Sequence, residues 1–532
     1  MLSDIVSPLP TQFLIVVSLA YVAYHYSGLS PHQRRFPPGP KPAFIIGFNR
    51  SSISSQILLT NKLYRNALQI PSISPQETFA KWLHEYGDVV YLKLFQQSLV
   101  VLNSLDAAQN LLHQRSSIYS DRPNFVLFND LMGWQNASTH VRYGPRFRRH
   151  RRFIHQTFNQ RAVETLRGVQ EKEICHLIQG LMDEPEQVTQ HLRRFVAATI
   201  MKVTYGIDVK TKDDLVVQLA HRAGSLTVRS GTPAAMLVDY IPVMKYIPTW
   251  APFAGFKRNA RIVKEAVDSM FNIPYEMVKS QMASGTVFPC MTSRLMKACS
   301  PAGVHCLSSD VEEDIKGVAG TMYAAAEDTT LCILTTFILA MVLHPQVFKK
   351  AQNEMDNVIG MDRLPSFEDR SSLPYLECVL KEVCRWNVPV PLGLPHRLMD
   401  DDMYKDYHIP KGTTVMANIH CMLQNCSQPQ VFHPERYIED PNLIDPGDVI
   451  YGFGRRRCPG RHFGDRSVWL AAASIICTMV ISKAKDDAGK ELTPKATFID
   501  GFVHHPAEFP CSVRPRSEKL SMMTACTDMD PY

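Results

Sequence analysis

A mainly α fold is predicted by three helix-like runs, Val311 to Leu343, Leu376 to Trp386 and Phe463 to Ile481, in a chain of 532 residues. The first is unusually long and is ended by His344-Pro345. The 36 prolines suit a fold whose helices are joined by many irregular connections. Although the chain exceeds the usual single-domain size, it carries no internal repeat and no long low-complexity linker. One large domain is the simplest division. Apolar residues at 45% and charged residues at 20% describe a globular core. The 13 cysteines include no Cys-x-x-Cys pair, which argues against a zinc site or a secreted disulfide framework and favours a reducing compartment.

The elements follow in order. From Ile5 to Gln33 there is no Lys, Arg, Asp or Glu, and Phe13 to Tyr26 is densely aliphatic and aromatic. About 20 apolar residues span a bilayer, so residues 1–33 are expected to form a retained membrane anchor. A cleaved signal peptide is the competing reading, but the start carries Asp4 in place of Lys or Arg, and no small-x-small site follows. Arg34, Arg35 and Lys41 then put the following domain in the cytosol by the positive-inside rule. Residues 34–47 read as a basic, proline-rich hinge in which Pro37-Pro-Gly-Pro40 makes a stiff turn. Phe48 to Arg65 is a polar, serine-rich piece with no evident chemistry.

At the centre of the long helix stands Ala324-Ala-Ala-Glu-Asp328-Thr329-Thr330. Small side chains let a planar cofactor lie against a helix, and a Thr hydroxyl either bonds back to a carbonyl or faces a ligand. Alone, Asp-Thr-Thr is commonplace and usually just solvated. Glu382 and Arg385 stand three apart, on one helical face, as an ion pair of a kind worth well under about 1 kcal/mol at a surface. Near the C-terminus, Tyr451-Gly-Phe-Gly-Arg-Arg-Arg-Cys458-Pro-Gly460 holds a cysteine among glycines and arginines just before a helix. The helix N-terminus and the guanidinium groups favour the thiolate that binds iron, and the glycines let backbone approach a flat cofactor. For an isolated cysteine, a buried structural thiol would be the ordinary reading.

With its flanks, this loop resembles the haem-binding loop of the cytochrome P-450 family, Phe-x-x-Gly-x-Arg-x-Cys-x-Gly, with Tyr451 in place of Phe. Ala324 to Thr330 resembles the family's oxygen-activation motif, with Ala326 for the usual Gly, and Pro434-Glu-Arg436-Tyr437 resembles its Pro-Glu-Arg-Phe segment. Phe147-Arg-Arg-His-Arg151 looks like Trp-x-x-x-Arg with Phe for Trp, and Asp500 to Pro506 looks like a turn whose tip lines the substrate pocket. The wording is most like fungal microsomal members. The resemblance implies a mainly α fold with a small β region, triangular in outline, over residues 66–515, leaving 516–532 as a tail. It implies haem b with Cys458 as the iron ligand; Tyr451, Gly452, Gly460 and Ala325 against the cofactor; and Arg151, Arg397 and Arg456 as partners of its propionates. Thr329 and Asp328 would deliver protons for O–O cleavage. Glu382, Arg385 and Arg436 would form a structural triad that locks the cysteine loop and retains haem.

The implied reaction inserts one atom of dioxygen into a hydrophobic organic substrate, as in secondary or xenobiotic metabolism. Its electrons come from NADPH through a reductase, with cytochrome b5 as an optional donor, at the endoplasmic reticulum membrane. No nucleic-acid partner is expected. The pocket is expected from Ser120 to Ala137, the small residues of the long helix, Val388 to Leu394 and Phe502-Val503, all mostly apolar. Pro233 to Phe256 reads as a second membrane contact or a buried connector. The resemblance implies that Arg146, Arg148, Arg149 and Arg152 share the haem's proximal face with Arg455, Arg457 and Arg461, a cationic surface suited to an acidic reductase. A haem-thiolate isomerase or peroxygenase, an inactive haem-binding relative and a misassembled gene product remain as alternatives. Two departures bear on the last two. Removing 48–65 rejoins a family-like Ile-Ile-Gly-Asn-Ala, with codons that permit GT and AG splice ends, so this insert reads as a retained intron. The segment Met422 to Phe432 also looks a few residues short.

Overall fold

The structure is a computed structural model that describes residues 35–40, 69–71, 73–95, 97–230, 237–252, 254–300, 307–360 and 362–516. The expected anchor at 1–33, the expected insert at 48–65 and nearly all of the expected tail at 516–532 lie outside the described residues, as does most of the expected hinge at 34–47.

Helices of nine residues or more are labelled α1 to α11. They are α1 Pro75–Tyr86, α2 Pro145–Phe158, α3 Arg167–Asp183, α4 Val188–Tyr205, α5 Leu215–Arg229, α6 Gly255–Ala283, α7 Met291–Cys299, α8 Ser309–Leu343, α9 Pro345–Val358, α10 Pro374–Trp386 and α11 Arg461–Thr478. The β portion is small. Its main sheet runs β1 (Val89–Leu94), β2 (Gln97–Leu102), β6 (Thr414–Ala417), β3 (His396–Arg397), with β2 and β6 parallel and the other pairs antiparallel. Three two-stranded pairs complete it: β4 (Asp402–Tyr404) with β5 (Tyr407–Ile409), β8 (Ala484–Lys485) with β9 (Glu491–Leu492), and β7 (Met479–Ser482) with β10 (Ser512–Pro515).

The helix α8 is the axis of the molecule. Its upstream half, from Ile315 to Tyr323, belongs to an apolar cluster with residues from α4, α5, α6 and α7. Its downstream half, from Leu331 to Val342, belongs to a second cluster with α3, α4, α10 and α11. Being buried on nearly every side, α8 can be apolar almost throughout, which is why its length and hydropathy would also satisfy a membrane span; 78% of its most apolar window is inside the protein. The sequence prediction places its end correctly, because Pro345 has no N–H to continue the helix and instead opens α9.

Two expectations are corrected. The run Phe463 to Ile481 is not one helix: α11 stops at Thr478 and Met479–Ser482 is β7, where β-branched Val480 and Ile481 pair with Arg514 and Val513. Residues 35–40 also make no turn. They run extended beside β1, where the carbonyl of Pro38 accepts from the N–H of Tyr91 at 2.9 Å and that of Arg35 from His408 at 2.7 Å. Prolines lack the donors of a full strand, so the segment docks through its carbonyls and through stacking of Phe36 on Tyr91, centroids 5.0 Å apart.

Candidate active site

The cysteine loop is shaped by its glycines. Gly454, at φ +54°, presses against the carbonyl of Leu112 where any β-carbon would collide, so the loop approaches the 109–116 segment as only glycine permits. The N–H of Cys458 then returns to the carbonyl of Tyr451 at 2.8 Å, and Gly460 caps α11 by accepting from Phe463 and Gly464. Burial raises the Cys458 thiol, while the N–H groups of Gly460 and Arg461 and the charges of Arg151 and Arg461 pull toward the anion. Across from the loop lies α8: a β-carbon on Gly460 would stand 3.2 Å from the Met322 methyl. Three residues beyond Met322, Ala325 is exposed although the rest of this helix is mostly buried.

The three expected propionate arginines gather beside the loop, each with protein partners. Arg151 donates to the carbonyl of Arg457 at 2.9 Å. The buried Arg456 donates to the carbonyls of Ser120 at 2.7 Å, Ser138 at 3.3 Å and Val141 at 2.7 Å, and its guanidinium carbon lies 3.7 Å from the centre of the Phe147 ring. The Phe that replaces the family's Trp thus offers a cation–π face where the indole would offer an N–H. Arg397 is held by Asp121 at 3.0 Å. A fourth cation escaped the sequence reading: Arg122 is buried and donates to the carbonyls of Thr139, Leu394 and Pro395. Burial lowers Arg122 to about 9, and burial with repulsion from Arg122 lowers Arg456 to about 8. The nearby carboxylate is Asp121; burial alone would raise it, but bonds from Arg142 and from the N–H groups of Tyr143 and Arg122 hold it at about 2. Buried cations that outnumber their anions fit a cofactor bringing two carboxylates, and with Cys458 this donor set fits haem.

On α8 the Thr329 hydroxyl bonds back to the carbonyl of Ala325 at 2.9 Å, and the Asp328 carboxylate meets His505 Nε2 at 2.7 Å. Glu327, the residue before Asp328, is buried with Arg193 of α4 at 3.4 Å. The expected triad is assembled. Arg385 donates to both Glu382 oxygens at 2.7 and 2.9 Å, and Arg436 to one at 3.1 Å, with the Glu382 and Arg385 side chains fully buried. The spare donors of both arginines fasten the short segment before it: Ser427, Gln428, Pro429 and Val431 all give carbonyls to Arg385 or Arg436. A small apolar cavity is lined by Arg122, Phe125, Phe128, Leu394 and Phe502 among others, from the segments expected of the pocket.

Two members of the expected cationic face are also committed inward: Arg146 and Arg149, each partly exposed, both bind the buried Asp314 of α8, as does His150. The side chain pattern of α2 gave no sign of this, since its partner lies more than a hundred residues away.

The cytochrome P450 family model matches residues 60–507. This chain belongs to the cytochrome P450 family. It is similar to cytochrome P450 monooxygenase 176 of Postia placenta, 37% identical over 96% of this chain and 97% of that one. It is also similar to cytochrome P450 monooxygenase 136 of that fungus, 40% identical over 87% and 89%. The tryptamine 4-monooxygenase of Psilocybe cyanescens is 34% identical over 95% and 98%. The protein is accordingly an oxygen-incorporating oxidoreductase, and as a cytochrome P450 it is implied to use haem with a cysteine-ligated iron.

Proposed function

We propose that this P450 binds haem b through Cys458 and inserts one atom of dioxygen into a hydrophobic organic substrate, with NADPH electrons delivered by a membrane-bound reductase. The observation that carries the reading is the juxtaposition of the Cys458 loop, the exposed Ala325 on an otherwise buried helix and a cation cluster short of anions. When bound, haem supplies the thiolate-supported iron at which dioxygen is activated. The chain's own residues do the rest. Arg122, Arg151, Arg397 and Arg456 bind carboxylates, Glu382, Arg385 and Arg436 keep the loop rigid, and Asp328 with Thr329 moves protons on the α8 side. The apolar lining from Phe125, Phe128, Leu394 and Phe502 selects substrates by burial. Fungal secondary metabolism suits the similarity to a tryptamine 4-monooxygenase, without assigning that substrate.

Membrane association at the endoplasmic reticulum is supported by the apolar run at 5–33 and by a cluster of exposed side chains, Leu237, Ile241, Val243, Tyr246 and Trp250, the last 82% exposed. Such a patch suits the bilayer interface. The fastening of 427–431 by the triad favours a functional enzyme over a misassembled product.

The test is a reduced carbon monoxide difference spectrum of the wild type and of Cys458→Ser, because a serine oxygen is not an anion at neutral pH. The wild type is expected to give the red-shifted thiolate band and the variant to lack it. Persistence of the band in Cys458→Ser would overturn the ligand assignment.

A further inference from the structure

The Asp328 carboxylate has a partner from the far end of the chain. His505 Nε2 lies 2.7 Å from Asp328 Oδ1, with the imidazole side chain 26% and the carboxylate 39% exposed. The pair is not an accident of two long surface side chains, because the turn carrying His505 is mounted on α8. Next to it, His504 gives its carbonyl to Asn387 Nδ2 at 2.8 Å, and its Nδ1 pairs with Asn387 Oδ1 at 2.9 Å. Asn387 in turn donates to Thr336 of α8 at 2.9 Å, and both Asn387 and Thr336 are buried. His504 N–H closes on Pro389 at 2.9 Å, and His505 C=O accepts from Ile499 at 2.7 Å. This buried bracket fixes the imidazole at one height along the helix, beside the acid that precedes Thr329.

We propose that His505 is a positioning residue that orients Asp328 and resupplies it with protons from solvent. This rests on the monooxygenase reading above. An imidazolium gives the Nε2 proton to Asp328 Oδ1, Asp328 passes a proton toward the Thr329 side of α8, and His505 recovers one from water. Each turnover combines dioxygen, NADPH, one proton and the substrate C–H to give the alcohol, water and the oxidised nicotinamide. Imidazole suits the role because its two ring nitrogens are distinct, so that one can face Asp328 while the other exchanges with water. The other charged or titratable groups near this spot, among the described residues, are Glu327 and Cys332 on α8, Arg193 on α4, His221 on α5 and His504 on the same turn as His505. Arg193 engages Glu327 at 3.4 Å, whereas His505 is the partner in contact with Asp328 at 2.7 Å.

Two variants separate feeding from simple pairing. His505→Gln keeps a hydrogen bond donor without a transferable proton, and His505→Arg keeps the ion pair but holds its proton at any working pH. With an NADPH-dependent reductase and 7-ethoxycoumarin as an apolar probe, both variants are expected to form the carbon monoxide band normally. In both, product and water formed per NADPH should fall about 10-fold with peroxide released instead, less than the roughly 100-fold or more for a directly acting acid. The peroxide ratio is readable whether or not the probe is oxidised. A normal ratio in His505→Arg would show that charge pairing suffices and would overturn the feeding role. Independently of turnover, the ¹⁵N-histidine resonance of the carbon monoxide-bound protein that disappears in His505→Gln should shift in Asp328→Asn, and indifference to that change overturns the pair. A wild type without the band would sink the monooxygenase reading itself, whereas a normal band with normal coupling in both variants would sink only the role of His505.

Discussion

Glu327 shows how one side chain can hold stability hostage to pH. It is 6% exposed, and among the described residues its Oε1 accepts no hydrogen bond and has Arg193 as its ion-pair partner at 3.4 Å. Burial, then the neighbouring Asp328 charge, raises the carboxyl from 4.5 to about 7, against the pull of Arg193 and His505. Because the folded pKa is the higher one, the folded state binds more protons between 4.5 and about 7, so stability falls as pH rises through that window. Glu327→Gln removes the ionisable group. Above the window the variant should be more stable than the wild type by a margin on the order of 2 kcal/mol, read as a higher thermal midpoint, and below the window the two midpoints should match. An equal midpoint at all pH values would mean that the carboxyl is ionised at little cost. The same residue scale explains a local departure from the family pattern: Phe147 lacks the indole donor but lies against the Arg456 guanidinium.

Between elements, the contact that most defines the site is the one between α2 and α8. Asp314 is fully buried and gathers Arg146 at 2.6 Å, Arg149 and His150 at 2.9 Å, while His150 continues to Ser138 and Ser138 N–H to Thr321 of α8. Burial alone would raise this carboxyl, but the three donors hold it at about 2. The contribution is therefore present above the usual 3.8 and is lost as pH falls through about 2. Asp314→Asn should destabilise by about 2–3 kcal/mol, somewhat less than a fully buried pair because both guanidinium groups reach solvent. Chemical denaturation at neutral pH would measure it, and a midpoint unchanged from the wild type would refute it. This lock marks the limit of what the sequence revealed. Elements announced by local pattern, such as the ends of α8 and α10 and the glycines around Cys458, were legible, because proline, glycine and helical spacing act over a few residues. The triad was legible only through resemblance, and its fit to the short 427–431 segment was not. Arg122, Asp121, Asp314 and His505 were missed since each is defined by a partner distant in sequence.

At the scale of the whole molecule, the charge left for a partner is smaller than the sequence count suggests. Arg146 and Arg149 are committed to Asp314, whereas Arg148 and Arg152 are exposed on the same helix, whose Arg151 touches the cysteine loop. A cationic face of this kind speeds association with an acidic reductase, and salt weakens it as the screening length falls to about 8 Å. Replacing Arg148 and Arg152 together with Glu should slow reduction by an acidic flavoprotein and flatten its salt dependence, leaving substrate-induced spectral shifts alone. Stopped-flow reduction as fast and as salt-sensitive as that of the wild type would exclude this face.

The threading of α8 through both apolar clusters also governs how this chain could exchange segments with its relatives. Apart from Phe463, the buried members of the upstream cluster come from residues 125–323, whereas the downstream cluster takes α8 from Leu331 onward together with residues of α3 and α4. A crossover between 324 and 330 therefore leaves the upstream cluster almost wholly from one parent, and mixes the α3 and α4 contacts, the β2–β6 pairing and the contacts that tie 120–151 to 394–457. Crossing over within 315–323 or 331–342 would divide an interlocked packing between two lineages, and close-packed interiors tolerate such mismatches poorly. The short stretch that holds Asp328 and Thr329 is thus also the point at which α8 passes from one interlocked packing to the other, and the place where a crossover within this helix does least harm to it.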